Sequence, residues 1–312
     1  MYTKFFLFFN IYTYINVYLK NGDTMKLSYY KLPNGERNFG DDLNPWLWEK
    51  LIPGVLDSDE SVAFVGIGSL INDGLPWRTR HASKRVIFGT GVGYGKGEVK
   101  LDESFKIYCL RGSLSAKALG VKQDLGVTDG AVLVRKVYNN TAKKIHRFSY
   151  MPHYELAGKG WEIVCKELGF GYIDPRWTVE EVLLSISQTE VLLTEAMHGA
   201  IIADALRVRW VPIVTNSTIL SFKWQDWCSS IGVEYKPSYI KRLQHPREKH
   251  DFLTPIRGVR DKIRQYNASK ALKQVAMNQP PFLSEDSRIE ALTEKLEEKL
   301  HLFQEDVKNG LI

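Results

Sequence analysis

The sequence predicts an α/β protein of two Rossmann-like lobes facing a cleft, followed by a C-terminal helical extension. Three observations carry this. Short apolar runs suited to buried strands alternate with segments of helical periodicity along residues 25–239. Glycine or histidine marks several of the strand ends, where a parallel α/β sheet meets its ligands. Residues 190–215, EVLLTEAMHGAIIADALRVRWVPIVT, read as a strand, a tight junction, a helix and a second strand. A chain of 312 residues has the length for two such lobes. The division expected is an N-terminal extension over 1–24, an N-terminal lobe over 25–142, a C-terminal lobe over 143–245 and C-terminal helices over 246–312.

Residues 1–24 are apolar and aromatic, but Asn10 and Asn16 interrupt the run and no small-residue cleavage pattern follows. The run is also short for a spanning helix, which needs roughly 20 mainly apolar residues. Met25 opens a natural first strand, so the segment before it reads as an over-extended start or a weak surface anchor. The strand at 26–32 passes a Pro33-Asn34-Gly35 turn into Asn38-Phe39-Gly40-Asp41-Asp42-Leu43-Asn44. Gly40 permits a tight turn, and Asp41 or Asp42 can cap a helix with Leu43, Trp46, Leu47 and Leu51 on its apolar side. One carboxylate suffices for the cap, which leaves the other to meet a ligand.

Residues 61–69, SVAFVGIGS, form the apolar run of a central parallel strand buried on both faces. Gly66 and Gly68 invite a dinucleotide reading, yet the third position of that spacing is Ile71, and Asn72-Asp73-Gly74 reads as a loop instead of a helix start. Residues 84–95 repeat the theme with Gly89, Gly91, Gly93 and Gly95, which would let a ligand approach the backbone closely. The strand at 105–110 ends at Arg111, whose guanidinium can hold a phosphate or carboxylate bidentately, and a helix follows through Ala118. Residues 131–134 read as the last strand of the lobe, and 138–141 as a linker.

The second lobe starts with a strand over 145–154 that closes on Met151-Pro152-His153-Tyr154. Helices at 160–168 and 179–186, a strand at 171–173, the 190–215 unit and a helix at 222–231 continue the alternation. Within that unit Met197-His198-Gly199 stands at a strand-to-helix junction, and a helix from Ala200 would point its free N–H groups there, which favours an anion. Taken alone, His198 serves equally well as a capping or core residue. Residues 288–307 carry Ile289, Leu292, Leu296, Leu300 and Phe303 on one stripe, suited to packing on a lobe or on a partner chain, so a homo-oligomer is open to this protein.

A formal charge of +6 and a pI near 9.0 are too mild to imply nucleic acid without a clustered patch, but suit phosphorylated or carboxylated substrates and an anionic membrane face. Cys109, Cys165 and Cys228 are odd in number and far apart, which suggests neither a disulfide framework nor a zinc site and fits a reducing cytoplasm.

The motifs from Asn38 to Asn44, at Arg111-Gly112, at Met151-Pro152-His153 and from Glu195 to Ala200 together resemble the polysaccharide pyruvyl transferase family, in particular its succinoglycan-type ketal-pyruvate transferases, over residues 25–239. The resemblance implies a fold similar to two-lobed glycosyltransferases of the B type. It implies transfer of pyruvate from phosphoenolpyruvate to two hydroxyls of one sugar, in an exopolysaccharide or its lipid-linked precursor, as a cyclic ketal without metal or other cofactor. On that reading His198, partly protonated near neutral pH, is the acid, and Asp41 or Asp42 accepts a hydroxyl proton. Arg111, His153, Met197, Gly199, Ala200 and Arg207 surround the donor, and Asn38, Gly40, Gly66, Gly68 and Gly91 the acceptor. Many members carry serine-x-arginine-x-histidine where this chain has Thr194, Ala196 and His198, so the donor anion must be met from elsewhere: Arg111, Arg207, Arg209 or the helix N-terminus. The expected location is cytoplasmic, with peripheral association at the inner membrane face open. The competing readings are a B-type glycosyltransferase using a nucleotide sugar, a non-catalytic glycan- or phosphate-binding protein, and a nicotinamide enzyme, the last held down by the incomplete glycine fingerprint.

Overall fold

The computed structural model describes residues 24–93, 99–139, 141–215, 219–243 and 254–312. The expected N-terminal extension up to residue 23, Gly95 of the glycine-rich stretch and Asn140 of the linker lie outside the described residues. The first lobe runs β1 (Met25–Ser28), α1 (Phe39–Leu51), β2 (Leu56–Asp57), β3 (Val62–Val65), α2 (Leu75–Arg78), β4 (Lys84–Phe88), β5 (Phe105–Cys109), α3 (Ser113–Ala118) and α4 (Val134–Val137). The second runs β6 (His146–Met151), α5 (Lys159–Leu168), β7 (Gly171–Tyr172), α6 (Val179–Ser187), β8 (Thr189–Thr194), α7 (Met197–Ala205), β9 (Arg209–Val214), α8 (Ser221–Ser230) and β10 (Ser238–Tyr239). Two long helices follow, α9 (Thr254–Asn278) and α10 (Asp286–Lys308).

Two five-stranded sheets result, ordered β2-β1-β3-β4-β5 and β10-β9-β8-β6-β7, and every pairing is parallel. Read from its other edge, the second sheet runs β7-β6-β8-β9-β10, so each lobe repeats one doubly wound order, 2-1-3-4-5. The α/β class and the Rossmann-like character of the lobes follow from this. In each sheet the winding reverses once, between β1 and β3 and between β6 and β8, and ligands of such sheets gather beyond the carboxyl ends at that reversal.

Local chemistry explains the elements. β3 is buried on both faces, as a central parallel strand must be. α6 opens with a capping box: Thr178 accepts from the Glu181 N–H while Glu181 reaches back to the Thr178 N–H. Three expectations need correction. The run at 131–134 is no strand; Asp129 accepts from the Ala131 N–H at 3.0 Å and starts a 3₁₀ turn, Gly130–Leu133, that continues into α4. Asn72-Asp73-Gly74 does lead into a helix, α2, whose second residue is the proline favoured in a first turn. α1 has Asn38 at its N-cap, with Asp41 and Asp42 inside the first turn.

The C-terminal helices tie back onto the lobes. α9 lies against α5 of the second lobe. α10 returns to the first, where Phe303 packs against Phe64, Phe88 and Tyr108, and the Tyr108 hydroxyl donates to Asp306 at 2.5 Å. The apolar stripe from Ile289 to Phe303 is buried in that packing, so it offers no face to a second copy of the chain. Among the described residues no helix is long and apolar enough to cross a membrane.

Candidate active site

Both winding reversals open onto one cavity of about 560 Å³. Tyr30 beyond β1 and Gly68 to Leu70 beyond β3 line it from the first lobe; Met151 at the end of β6, His153 just past it and Ala196 to His198 beyond β8 line it from the second. α1 adds Asn38, Gly40 and Asp41, α2 adds Arg78, and α8 adds Lys223.

The second-lobe wall is built around α7, which starts at Met197, three residues earlier than the sequence suggests. His198 therefore sits in the first helical turn. Ala196, the N-cap, has no side chain to cap the helix, and no acidic residue stands in its first turn. The unsatisfied N–H groups and positive dipole end of α7 are left for an anion. Gly199 and Ala200 do not line the cavity. A Cβ on Gly199 would come within 2.7 Å of Met151 Sδ and 2.8 Å of Thr194 Oγ1, and the Ala200 N–H already bonds to the Ala196 carbonyl at 3.2 Å. Their work is to let the helix start against the sheet. Below them the buried Glu195 carboxylate accepts from the Tyr150 hydroxyl at 3.0 Å, the His153 N–H at 3.2 Å and the Thr215 N–H at 2.8 Å, which joins the ends of β6, β8 and β9.

Opposite stands the first turn of α1. The Asn44 side chain pins this helix, accepting from the Ile67 N–H at 2.7 Å and donating to the Ile67 carbonyl at 3.0 Å. Gly40 presses against the imidazole so closely that a Cβ there would overlap His198 Nδ1. Of the two aspartates, Asp41 faces the cavity, with Asn38 Nδ2 donating to it at 2.6 Å, while Asp42 accepts from Arg37 Nε at 3.3 Å and lines an adjoining groove.

The electrostatics follow from burial and nearby cations. Burial pushes the Asp41 carboxyl up to about 6. Burial, then Lys223 and Arg111, hold His198 down at about 3; burial and Lys223 hold His153 at about 4 against the nearby Glu155. The protein's own groups thus keep both imidazoles neutral at neutral pH, which corrects the expectation that His198 is partly protonated there. An anion beside Lys223 would oppose that effect and raise both.

Three arginines expected at the donor are elsewhere. Arg111 is fully buried: Nε donates to Asp226 at 3.0 Å, and the terminal nitrogens to Ser69 Oγ, the Gly68 carbonyl and the Val92 carbonyl. Asp226, on α8, also accepts from the Ser115 N–H and hydroxyl of α3. This buried pair bolts the lobes together and sets the helix that carries Lys223; removing one partner of such a pair typically costs about 3–5 kcal/mol. Arg207 lies past the far end of α7, bonded to Ser284 and paired with Asp204 and Asp286, and Arg209 is the first residue of β9, at the amino end of the strands and away from the cavity. The nine residues of α7 span about 13 Å at 1.5 Å per residue; His198 is the second of them and Arg207 lies beyond their C-terminal end. Gly66 and Gly91 are also structural: a Cβ would strike Trp48 and Asn44 in one case and the Arg111 guanidinium in the other. Gly68 and Gly40 do reach the cavity.

The cavity and the wall behind it also hold groups that sequence reasoning passed over. Lys223, in an ordinary-looking helical run, is the cation that depresses both histidines. Arg78 donates to the Leu70 carbonyl at 2.6 Å and to Asn72, and its Nε has no partner. Asp129, fully buried, points Oδ2 at His198 Nε2 from 3.8 Å. Among the described residues no group of three or more His, Cys, Asp or Glu side chains could hold a metal ion.

Comparison with known proteins gives the site its context. The sequence profile of the family described as polysaccharide pyruvyl transferase matches residues 2–217. The chain is 39% identical over 219 residues to the succinoglycan biosynthesis protein ExoV of Rhizobium meliloti (strain 1021), a stretch covering 69% of this chain and 68% of that protein. The profile match starts before Met25 and stops short of residue 239, so it is offset from the span read off the motifs, but it contains all four of them. The chain belongs to the polysaccharide pyruvyl transferase family and is a transferase enzyme.

Proposed function

We propose that this enzyme transfers pyruvate from phosphoenolpyruvate onto two hydroxyls of one sugar in an exopolysaccharide or its lipid-linked precursor, forming a cyclic ketal with no further cofactor. The observation that carries the reading is the convergence of both winding reversals on one cavity with an uncapped helix N-terminus and Lys223 on one side and Asp41 on the other. The donor brings a carboxylate and a phosphate, which the α7 N–H groups and Lys223 suit. The acceptor brings neutral hydroxyls, which Asp41 and Asn38 can orient.

In the proposed reaction the bound anion offsets Lys223 and lets His198 take a proton. His198 delivers it to the methylene carbon of the enol, and the oxocarbenium-like centre at the adjacent carbon is attacked by the first sugar hydroxyl, whose proton passes to Asp41. Loss of phosphate from the same carbon regenerates the electrophile, and the neighbouring hydroxyl closes the ring as its proton passes to the departing phosphate. A carboxylate with a pKa near 6 is basic enough to accept that proton and close enough to neutrality to release it. His153 stands beside the donor as a second imidazole. The facing lobes are similar, on this reading, to B-type glycosyltransferases, and the formal charge of +6 suits work at the inner face of the cytoplasmic membrane on a lipid-linked acceptor.

The test is an assay of the purified chain with phosphoenolpyruvate and a panel of free and lipid-linked oligosaccharides. Phosphate release that depends on the acceptor, with gain of one pyruvyl group by the sugar, is expected. Nucleotide release from a sugar donor, with none from phosphoenolpyruvate, would overturn the proposal.

A further inference from the structure

Two buried atoms without a hydrogen-bond partner face each other across the boundary between the lobes. One is His198 Nε2, on α7; the other is Asp129 Oδ2, at the start of the 3₁₀ turn in the first lobe, 3.8 Å away. Asp129 is 0% exposed, and its other oxygen is taken by the Ala131 N–H at 3.0 Å. Buried polar atoms are nearly always paired, so two orphans aimed at each other need a reason. The gap is about 1 Å longer than a charge-assisted hydrogen bond. The ring's other nitrogen, Nδ1, is the one beside Gly40, clear of Asp129.

We propose that Asp129 is the positioning residue of His198: as the donor draws α7 and the first lobe together, Asp129 Oδ2 accepts a hydrogen bond from Nε2–H and stabilises the imidazolium. The inference rests on the reading of His198 as the acid. The proton that leaves is the one on Nδ1; it goes to the methylene carbon, and the ring remains neutral with Nε2–H held by the Asp129 carboxylate. Asp129 itself gains and loses nothing in that step, in the manner of the aspartate that orients a catalytic imidazole in hydrolytic triads. The groups that bear on the pair are Lys223 of α8 and Arg111, both acting against a charge on His198, and Arg111, Asp226 of α8 and Cys109 of β5 around Asp129. Burial holds the Asp129 carboxyl at about 7, so a neighbouring imidazolium is what would favour its ionised form at neutral pH.

The experiment is an NMR titration of histidine-labelled full-length protein, with and without phosphoenolpyruvate, in the wild type, Asp129→Asn and Asp129→Ser; His198→Asn assigns the resonance. Serine retains the cap of the 3₁₀ turn while removing the carboxylate. In the wild type the His198 pKa is expected to rise when phosphoenolpyruvate binds, and in both variants to rise less, by a tenfold or greater difference in proton affinity. The alkaline limb of the kcat profile should move to lower pH in parallel. A His198 titration unmoved by phosphoenolpyruvate in the wild type overturns the proposal without any variant, and so does one identical in wild type and variants. Pyruvyl transfer surviving in His198→Ala would remove the acid assignment, and the inference with it. Transfer lost in His198→Ala beside an Asp129-independent titration would overturn the inference and leave the proposed reaction standing.

Discussion

Each lobe has the same strand order, and each places the start of a helix at the cavity, yet the two helix starts carry opposite chemistry. α1 has Asp41 and Asp42 in its first turn, so carboxylates already answer the positive end of its dipole. α7 has no acid in its first turn and only Ala196 at its N-cap, so its positive end is open. The lesson is that topology brings two equivalent positions together and a few side chains give the site its polarity. On the proposed reading the donor's charges go to α7 and Lys223, and the acceptor's hydroxyls to α1.

That division can be attacked in order of expected effect. His198→Ala should lower kcat by about 10²–10⁴, the range of a lost general acid, with an unchanged circular dichroism spectrum; full turnover would strip the second lobe of its chemical role. Ala196→Asp gives α7 the carboxylate that α1 has. It should raise thermal stability, since an aspartate N-cap is worth about 0.5–2 kcal/mol over alanine, while raising KM for phosphoenolpyruvate by about tenfold or more through repulsion. Ala196→Arg, which restores the pattern of many family members, should lower that KM; steady-state kinetics of the two variants side by side give the sign.

Lys223→Ala should raise the donor KM by roughly tenfold, the scale of one charge-assisted contact. It should also move the pH dependence of stability. Burial and Lys223 hold His153 near 4 and His198 near 3, below the ordinary 6.5, so the unfolded chain binds these protons more readily. Stability from these two groups is therefore whole above about 6.5 and is lost as pH falls toward 4 and 3. Without Lys223 both pKa values rise and the acid loss is smaller. Chemical denaturation at a series of pH values measures it; equal slopes in wild type and variant would mean that Lys223 does not reach the imidazoles.

Much of the fold was legible because its signals are local. The apolar run of β3 and the His198 junction each declare themselves within a few residues. Two-residue strands such as β2 and β10 cannot show a period at all. The site was half legible. His198, His153, Asn38 and Gly40 stand where strand ends predict, and the choice between Asp41 and Asp42 turned on helix rotation, about 100° per residue, which the sequence around them does not set. Arg111 is at a strand end as expected, but its partner Asp226 is 115 positions along the chain, and no local pattern reveals that its donors are taken. Lys223 and Asp129 escaped for the converse reason: a lysine in a helix reads as a solvated charge, and an aspartate before glycine reads as a turn, until the second lobe faces the first.

The smallest effect tests the acceptor side. A groove of about 470 Å³ adjoins the cavity and shares Tyr30, Asn38 and Asp41 with it, so a sugar bound at Asp41 has a continuous path outward. Trp46 lines that groove from α1, its indole held in place by a 2.7 Å bond from Nε1 to Glu180 Oε1 and by Lys50, whose Nζ lies 4.3 Å from the ring centroid. An indole fixed from two directions is a ready platform for the apolar face of a sugar ring. Trp46→Ala should raise KM for an oligosaccharide acceptor by about fivefold, corresponding to roughly 1 kcal/mol of aromatic contact. It should spare KM for phosphoenolpyruvate and change little for an acceptor too short to reach the groove. If the donor KM moves with the acceptor KM, the two helix starts do not divide the substrates between them, and the polarity drawn from α1 and α7 fails at its acceptor end.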